Sequence, residues 1–234
     1  MSAVDEEALA ARLSSVREKI ADALTSNGRA GDDATLIVVT KFHSADVVRA
    51  LVACGVHDVG ENKHQEATAK YDECAGLGVN WHFIGQLQSN KAAAVRRYAH
   101  AVHSVDRASL VTALDRAGDN APETKTLECF LQINLTDDPA RGGASWADIP
   151  AMSEMLLQAR TLTFAGVMAV APLDVDPREA FEHVARASEL VRTIAPQAHA
   201  ISAGMSHDFE AAIEAGATHL RIGSQITGKR PVPG

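Results

Sequence analysis

The chain has 234 residues, 46% hydrophobic and 22% charged, which suits a folded chain with a substantial core and excludes disorder and collagen-like repeats. Thirty acidic against 22 basic residues give a net charge of -8, so the overall field repels nucleic acid and anionic membranes, although a local basic pocket can still hold a small phosphate. The first twenty residues carry early acids and no apolar core, so no signal peptide is expected, and no apolar run approaches the ~18 residues of a membrane span.

Residues 5–25 place Leu9, Leu13, Val16, Ile20 and Leu24 on one helical face, with Ser2 and Asp5 spaced for a capping box and Asn27-Gly28 as the stop. Residues 1–30 are thus predicted as an N-terminal helical segment, and a strand–helix rhythm follows. TLIVVT (35–40) reads as a buried parallel strand, and Ser44 is placed to cap a helix carrying Val47, Val48, Leu51 and Val52 that ends at Gly55. VHDVG (56–60) is the second strand, before a polar helix to about Cys74. WHFIG (81–85) is the third, followed by a helix over 89–97, and AVHSV (101–105) is the fourth, with Leu110 and Leu114 on the helix behind it. LECFLQIN (127–134) is the fifth, followed by a helix over 146–160 with Met152, Met155 and Leu156 assigned to the core. FAGVMAV (164–170), a helix over 177–194, HAISAG (199–204), a helix over 207–215 stopped by Gly216, and HLRIG (219–223) complete the series. Eight strands alternating with helices predict an α/β fold, a closed (β/α)8 barrel over 35–228 with no linker and no second domain. The rival, an open doubly wound sheet, usually has fewer strands.

Sites on such barrels gather where strands end at their carboxyl sides. Those positions here are Lys41, Glu61-Asn62, Gln86, Asp106, Asn134, Met168, Ser202 to Ser206, and Arg221 to Ser224. Taken singly, each has a bland explanation, because strand ends meet solvent. Lys41 stands out: it either snorkels to water or points its amine into the barrel mouth, where desolvation favours the neutral form that attacks carbonyls. SAGMSHD (202–208) and RIGSQITG (221–228) supply small residues, hydroxyls and glycines that let backbone amides approach a phosphate. A phosphate facing a nucleophilic lysine implies a phosphorylated carbonyl compound and a Schiff-base site.

Other signals carry less. Gly223 to Lys229 fits GxxxxGK, but Arg230 replaces the required hydroxyl residue and no nucleotide domain follows. His43, His82, His103 and His207 fall on separate elements without metal-ligand spacing. Three widely spaced cysteines, Cys54, Cys74 and Cys129, suggest a reducing cytoplasm, and Cys54 reads as core. Arg96-Arg97 reads as solvated surface.

VVTKF (38–42), GEN (60–62), HFIGQLQSNK (82–91), QIN (132–134), GVMAV (166–170), SAGMSHDFEAAIEAG (202–216) and RIGSQITG (221–228) resemble the pyridoxal phosphate homeostasis protein family. The likeness runs from about residue 35 to 228. It implies a fold-type III barrel like the alanine racemase N-terminal domain, making residues 1–234 one cofactor-binding domain. Lys41 would carry pyridoxal 5′-phosphate as an internal aldimine, Asn62 would lie by its ring, and Met168 would line the site. Ser206, Gly223 and Ser224 would hold the phosphate, and Arg221 would face the pyridine nitrogen. Ser202, at the head of the same motif, joins this cofactor-binding set. No catalytic residue and no metal are assigned. Departures from the family pattern are Phe42 and Thr227, where a threonine and an aromatic are usual, and Arg141 in place of a frequent lysine.

An arginine neither accepts a proton from the ring nitrogen nor yields one, so the ring stays a weak electron sink. Tyr71 and Tyr98 are expected on outer helices, away from the site. The function expected is therefore a cytoplasmic, non-catalytic carrier or buffer in pyridoxal phosphate homeostasis. It would work as a monomer, with apo forms of cofactor-dependent enzymes as acceptors and neither nucleic acid nor membrane as partner. A single-domain amino-acid racemase and a cofactor-free Schiff-base aldolase are the alternatives.

Overall fold

The computed structural model describes residues 4–30, 33–119, 126–136, 138 and 141–230. The opening helix α1 (Glu6–Ser26) buries Leu9, Leu13, Val16, Ile20 and Leu24, the five side chains its spacing put on one face. Asp5 is its N-cap and accepts the Ala8 amide at 3.0 Å; Ser2, the other residue of the expected capping box, lies outside the described residues. Gly28, at φ 68°, turns the chain out of the helix.

Eight parallel strands then close on themselves in sequence order, β8 pairing with β1. In chain order the elements are β1 (Thr35–Val39), α2 (Ala45–Ala53), β2 (Asp58–Glu61), α3 (His64–Glu73), β3 (Asn80–Phe83), α4 (Ala92–Arg96), β4 (Ala99–Val105) and α5 (Ala108–Gly118). They continue with β5 (Leu127–Gln132), α6 (Ile149–Gln158), β6 (Leu162–Met168), α7 (Pro177–Ile194), β7 (Ala200–Ser202), α8 (Phe209–Glu214), β8 (His219–Ile222) and α9 (Ser224–Thr227). The closed barrel is the architecture the alternation predicted.

Boundaries moved where capping chemistry intervened. β2 begins at Asp58 rather than 56, because Gly55 at φ 74° ends α2 and the Val56 amide folds back onto the Leu51 carbonyl at 3.0 Å. The helix expected over 89–97 starts as a 3-10 turn (Ser89–Lys91), and β6 begins two residues before the expected strand. Ser44 occupies the N-cap of α2 without a side-chain capping bond. The turn α9 was not foreseen. Arg96 is half-buried, its Nη2 donating to the Thr161 carbonyl at 2.8 Å, so only Arg97 of that pair is surface.

Strand alternation sorts the side chains. Val38, Val59, Trp81, Phe83, Val102, Leu131, Val167 and Leu220 join the large core between barrel and helices. The inward set forms a separate, small apolar cluster of Ala101, Phe130 and Met168, beside buried His82, His103, Ser202 and Arg221. Gly166 belongs to this tight interior: at φ 154°, an added Cβ would lie 1.9 Å from the Ala200 carbonyl oxygen. Among the described residues no helix is long and apolar enough to cross a membrane.

Candidate functional site

The carboxyl ends of the strands define one mouth, and the eight predicted site residues all fall on or just beyond those ends. Lys41 follows β1 and is half-buried; among the described residues its amine makes no hydrogen bond or ion pair, and it lies 6.0 Å from the Phe42 ring centroid. The strand end that presents it is fixed from behind. Lys70 Nζ on α3 donates to the Thr40 carbonyl at 2.8 Å and to Glu61 Oε1 at 2.6 Å, while Thr40 Oγ1 donates to the same carboxylate oxygen at 2.6 Å. Burial pushes the Glu61 pKa up, and the Lys70 charge opposes that shift. Phe42 then takes a left-handed turn at φ 70°, its ring covered by the Arg230 guanidinium at 3.9 Å.

Asn62 follows β2 on the neighbouring strand, where the Thr40 amide reaches the Gly60 carbonyl at 3.0 Å. Its backbone is held by a close approach: a Cβ on Gly85 would meet the Asn62 carbonyl oxygen at 2.0 Å. Met168 ends β6, buried against Ala101 and Phe130 beneath the mouth, and pairs in register with Ser202 at the end of β7.

The seventh and eighth loops interlock. Gln225 donates its side-chain amide to the Ser206 carbonyl, and Arg12 Nε on α1 donates to the Ile226 carbonyl at 2.7 Å. The Ile226 and Thr227 amides return to the Gly223 carbonyl at 2.8 and 2.9 Å. Those of Ser224 and Gln225, first-turn donors, have no intrahelical acceptor. Gly223 sits against β1, where a Cβ would contact Val39 Cβ at 3.3 Å. Ser206 is buried and Ser224 exposed.

Arg221 is anchored at two points: Nη1 donates to Ser202 Oγ at 2.6 Å and Nη2 to the Ala169 carbonyl at 2.8 Å. Burial lowers its pKa to about 10, partly countered by Asp208, so it stays charged at neutral pH.

The structure therefore gathers Met168, Ser202 and Arg221 into one contact set, places Lys41 beside Asn62, and ties Ser206 to the Gly223–Ser224 loop. The other polar strand ends have local duties. Asn134 accepts the Thr136 amide at 2.9 Å and donates to the Asp138 carbonyl at 2.9 Å, and Asp106 is bonded to Arg107. Two histidines read in the sequence only as lying on separate elements, His82 and His103, meet inside the barrel at 2.9 Å. For His82 a signal was present, since it lies between the outward-facing apolar residues Trp81 and Phe83, whereas His103 lies between Val102 and the polar Ser104. Among the described residues no His, Cys, Asp or Glu cluster is arranged to hold a metal ion. Tyr71 lies on α3, whereas Tyr98 lies at the α4–β4 junction rather than on a helix, with its hydroxyl pKa pushed up by burial.

Known proteins share this sequence pattern and fold. A profile described as the alanine racemase N-terminal domain matches residues 4–231. The pyridoxal phosphate homeostasis protein of Mycobacterium tuberculosis is 37% identical over 242 residues, spanning 96% of this chain and 94% of that protein. Its counterpart in Escherichia coli is 34% identical over 229 residues, spanning 95% and 97%. The structure of PipY from Synechococcus elongatus with pyridoxal phosphate bound superposes with a TM-score of 0.83 at 32% identity, over 94% of this chain and 100% of PipY. Alanine racemase from Corynebacterium glutamicum shares the fold (TM-score 0.71, 17% identity), but 99% of this chain covers only 63% of that enzyme. With relatives this similar along nearly its whole length, the chain belongs to the pyridoxal phosphate homeostasis protein family, built on the barrel of the alanine racemase N-terminal domain.

Proposed function

We propose that this chain binds pyridoxal 5′-phosphate at the barrel mouth and keeps it available to other proteins without turning over substrates. The observation that carries this reading is the Lys41 amine, without a hydrogen bond or ion pair among the described residues, at a strand end beside the interlocked glycine-containing loops. The group supplies an aldehyde that condenses reversibly with primary amines. Lys41 provides the amine. The Ser206 hydroxyl, the Ser224 hydroxyl and the free first-turn amides after Gly223 provide donors for the phosphate. Asn62 and Met168 would border the ring, and Arg221, held by Ser202, would face the pyridine nitrogen with its remaining N–H groups.

Two features support binding without turnover. Arg221 keeps its proton, so it does not protonate the ring nitrogen and leaves the ring a poor electron sink. Neither tyrosine stands at the carboxyl end of a strand: Tyr98 packs 6.0 Å from the ring of His64, and Tyr71 meets Trp81 edge-on at 6.4 Å. The three cysteines are free, which suits a reducing cytoplasm, and we infer a monomer with apo-enzymes as acceptors.

The test is spectroscopic. Purified protein mixed with pyridoxal phosphate should gain a visible band, and borohydride should fix the cofactor on the peptide containing Lys41. Lys41→Ala should abolish the fixed adduct. Labelling of another lysine overturns the assignment. Exchange of an amino acid's α-hydrogen with solvent deuterium at enzymatic rates overturns the non-catalytic reading in favour of racemisation.

A further inference from the structure

Beneath the mouth, five side chains from five strands form one unbroken hydrogen-bonded chain. Arg221 Nη1 donates to Ser202 Oγ at 2.6 Å, and that oxygen lies 2.8 Å from His103 Nδ1. His103 Nε2 is 2.9 Å from His82 Nδ1, and His82 Nε2 is 3.0 Å from Asp58 Oδ1. Asp58 is the first residue of β2 and Arg221 the third of four in β8, so the chain crosses the barrel from its amino-terminal rim toward the mouth. β4 and β7 are not neighbours in the sheet, so the His103–Ser202 link runs through the barrel interior.

The two ends dictate the direction of the two terminal links. A guanidinium has no acceptor, so Ser202 Oγ must accept from Arg221. At the other end Asp58 is ionised. Burial raises its pKa, but the hydrogen bonds from His82 and Asn80 and the nearby imidazoles outweigh burial and hold it below the usual carboxylate range. A carboxylate has no proton to give, so His82 must donate through Nε2. With one proton on each imidazole, a single arrangement completes the chain: His103 donates through Nε2 to His82, and the Ser202 hydroxyl donates to His103 Nδ1. Burial, then His82, Arg221, His219 and His100, hold His103 neutral far below the usual histidine range. The remaining groups facing the chain are the His100 ring, edge-on to His82 at 5.6 Å and 3.8 Å from Glu128, and the His219 ring, 6.3 Å from His103. Asn80 Nδ2 donates to Asp58 at 3.1 Å, and Asp208 acts on Arg221.

We propose that Asp58 is a positioning residue for Arg221, acting through His82, His103 and Ser202 as a single chain in which every link donates toward Asp58. The carboxylate fixes both tautomers, the tautomers turn the Ser202 hydroxyl toward His103, and the freed serine lone pair takes Nη1 of Arg221. With Nη2 on the Ala169 carbonyl, the guanidinium plane is set before any ligand arrives. The effect of this on a bound cofactor rests on the functional reading above, but the ordering of the chain does not.

Two measurements decide the matter. Imidazole nitrogen-15 spectra of the unloaded wild-type protein near pH 7, assigned with His82→Gln and His103→Gln, should show both rings neutral and protonated at Nε2. A proton on His103 Nδ1, or an imidazolium at either ring, overturns the proposal. In the second measurement, Asp58→Asn should weaken pyridoxal phosphate binding by about three- to ten-fold and displace its visible band. In a Ser202→Ala background, where the chain is already cut, Asp58→Asn should cause no further loss. Equal losses in both backgrounds mean that Asp58 does not act through Ser202 and overturn the proposal. If the wild-type protein fails to take up the cofactor at all, the functional reading falls, while the spectra of the unloaded protein still judge the chain.

Discussion

The mouth and the interior of the barrel hold polar groups of similar kind in opposite condition. Inside, His82, His103 and Ser202 are each bonded on both sides, and Gly166 leaves no room for even a methyl group. At the mouth, the Lys41 amine is unengaged among the described residues and the first amides of α9 lack intrahelical acceptors. Fully paired groups stiffen a fold, whereas spare donors in a rigid frame are what a ligand can use. Interior substitutions should therefore register in stability, and mouth substitutions in ligand binding.

The strongest way to break this contrast is Gly166→Ala. The new Cβ would stand 1.9 Å from the Ala200 carbonyl oxygen, so β6 and β7 must part. A loss of more than about 3 kcal/mol in denaturant unfolding is expected, and a variant within about 1 kcal/mol of wild type would refute the tight interior.

Acid gives a comparable interior effect. Burial, His82, Arg221 and His100 together lower the His219 pKa from 6.5 to about 4, against a partial opposing pull from Asp58. Between those values the unfolded chain binds a proton that the folded one refuses. Stability therefore falls as pH drops through this window and recovers as it rises, by roughly 3 kcal/mol for this group, with His103 acting in the same direction. Unfolding curves at several pH values should show that slope, and His219→Gln should flatten it. The smallest effects belong to the mouth. Lys41→Ala and Ser224→Ala should change stability by no more than about 0.5 kcal/mol, even though, on the function proposed above, the first would remove covalent attachment of the cofactor and the second would weaken its phosphate grip. A large drop in melting temperature for either would erase the distinction between the two regions.

The same contrast explains what the amino-acid order disclosed. Short β-branched runs ending in Lys41, Asn62, Met168 and Ser202 mark strands and their tips through local chemistry, and glycines such as Gly55 and Gly216 mark helix ends. Barrel closure brings non-neighbouring strands face to face, and no local pattern reports that; hence His82 and His103 looked like unrelated histidines. Lys70 stayed hidden for a similar reason. It lies on a helix polar enough to suggest a solvated face, yet its side chain is 8% exposed and paired with a Glu61 side chain 1% exposed. Arg96 was misplaced because its acceptor, the Thr161 carbonyl, lies 65 positions away.

The single-turn helix α9 is too short to stand by itself, since an isolated helix of that length is marginal in water. Its shape is borrowed, in part from Arg12, which grips the Ile226 carbonyl from 214 positions earlier in the chain. Two segments from opposite extremes of the polypeptide must meet before that turn can set, so its formation belongs to the late, long-range stage of assembly. A nascent chain would thus acquire this closing turn only when the rest of the wall already stands.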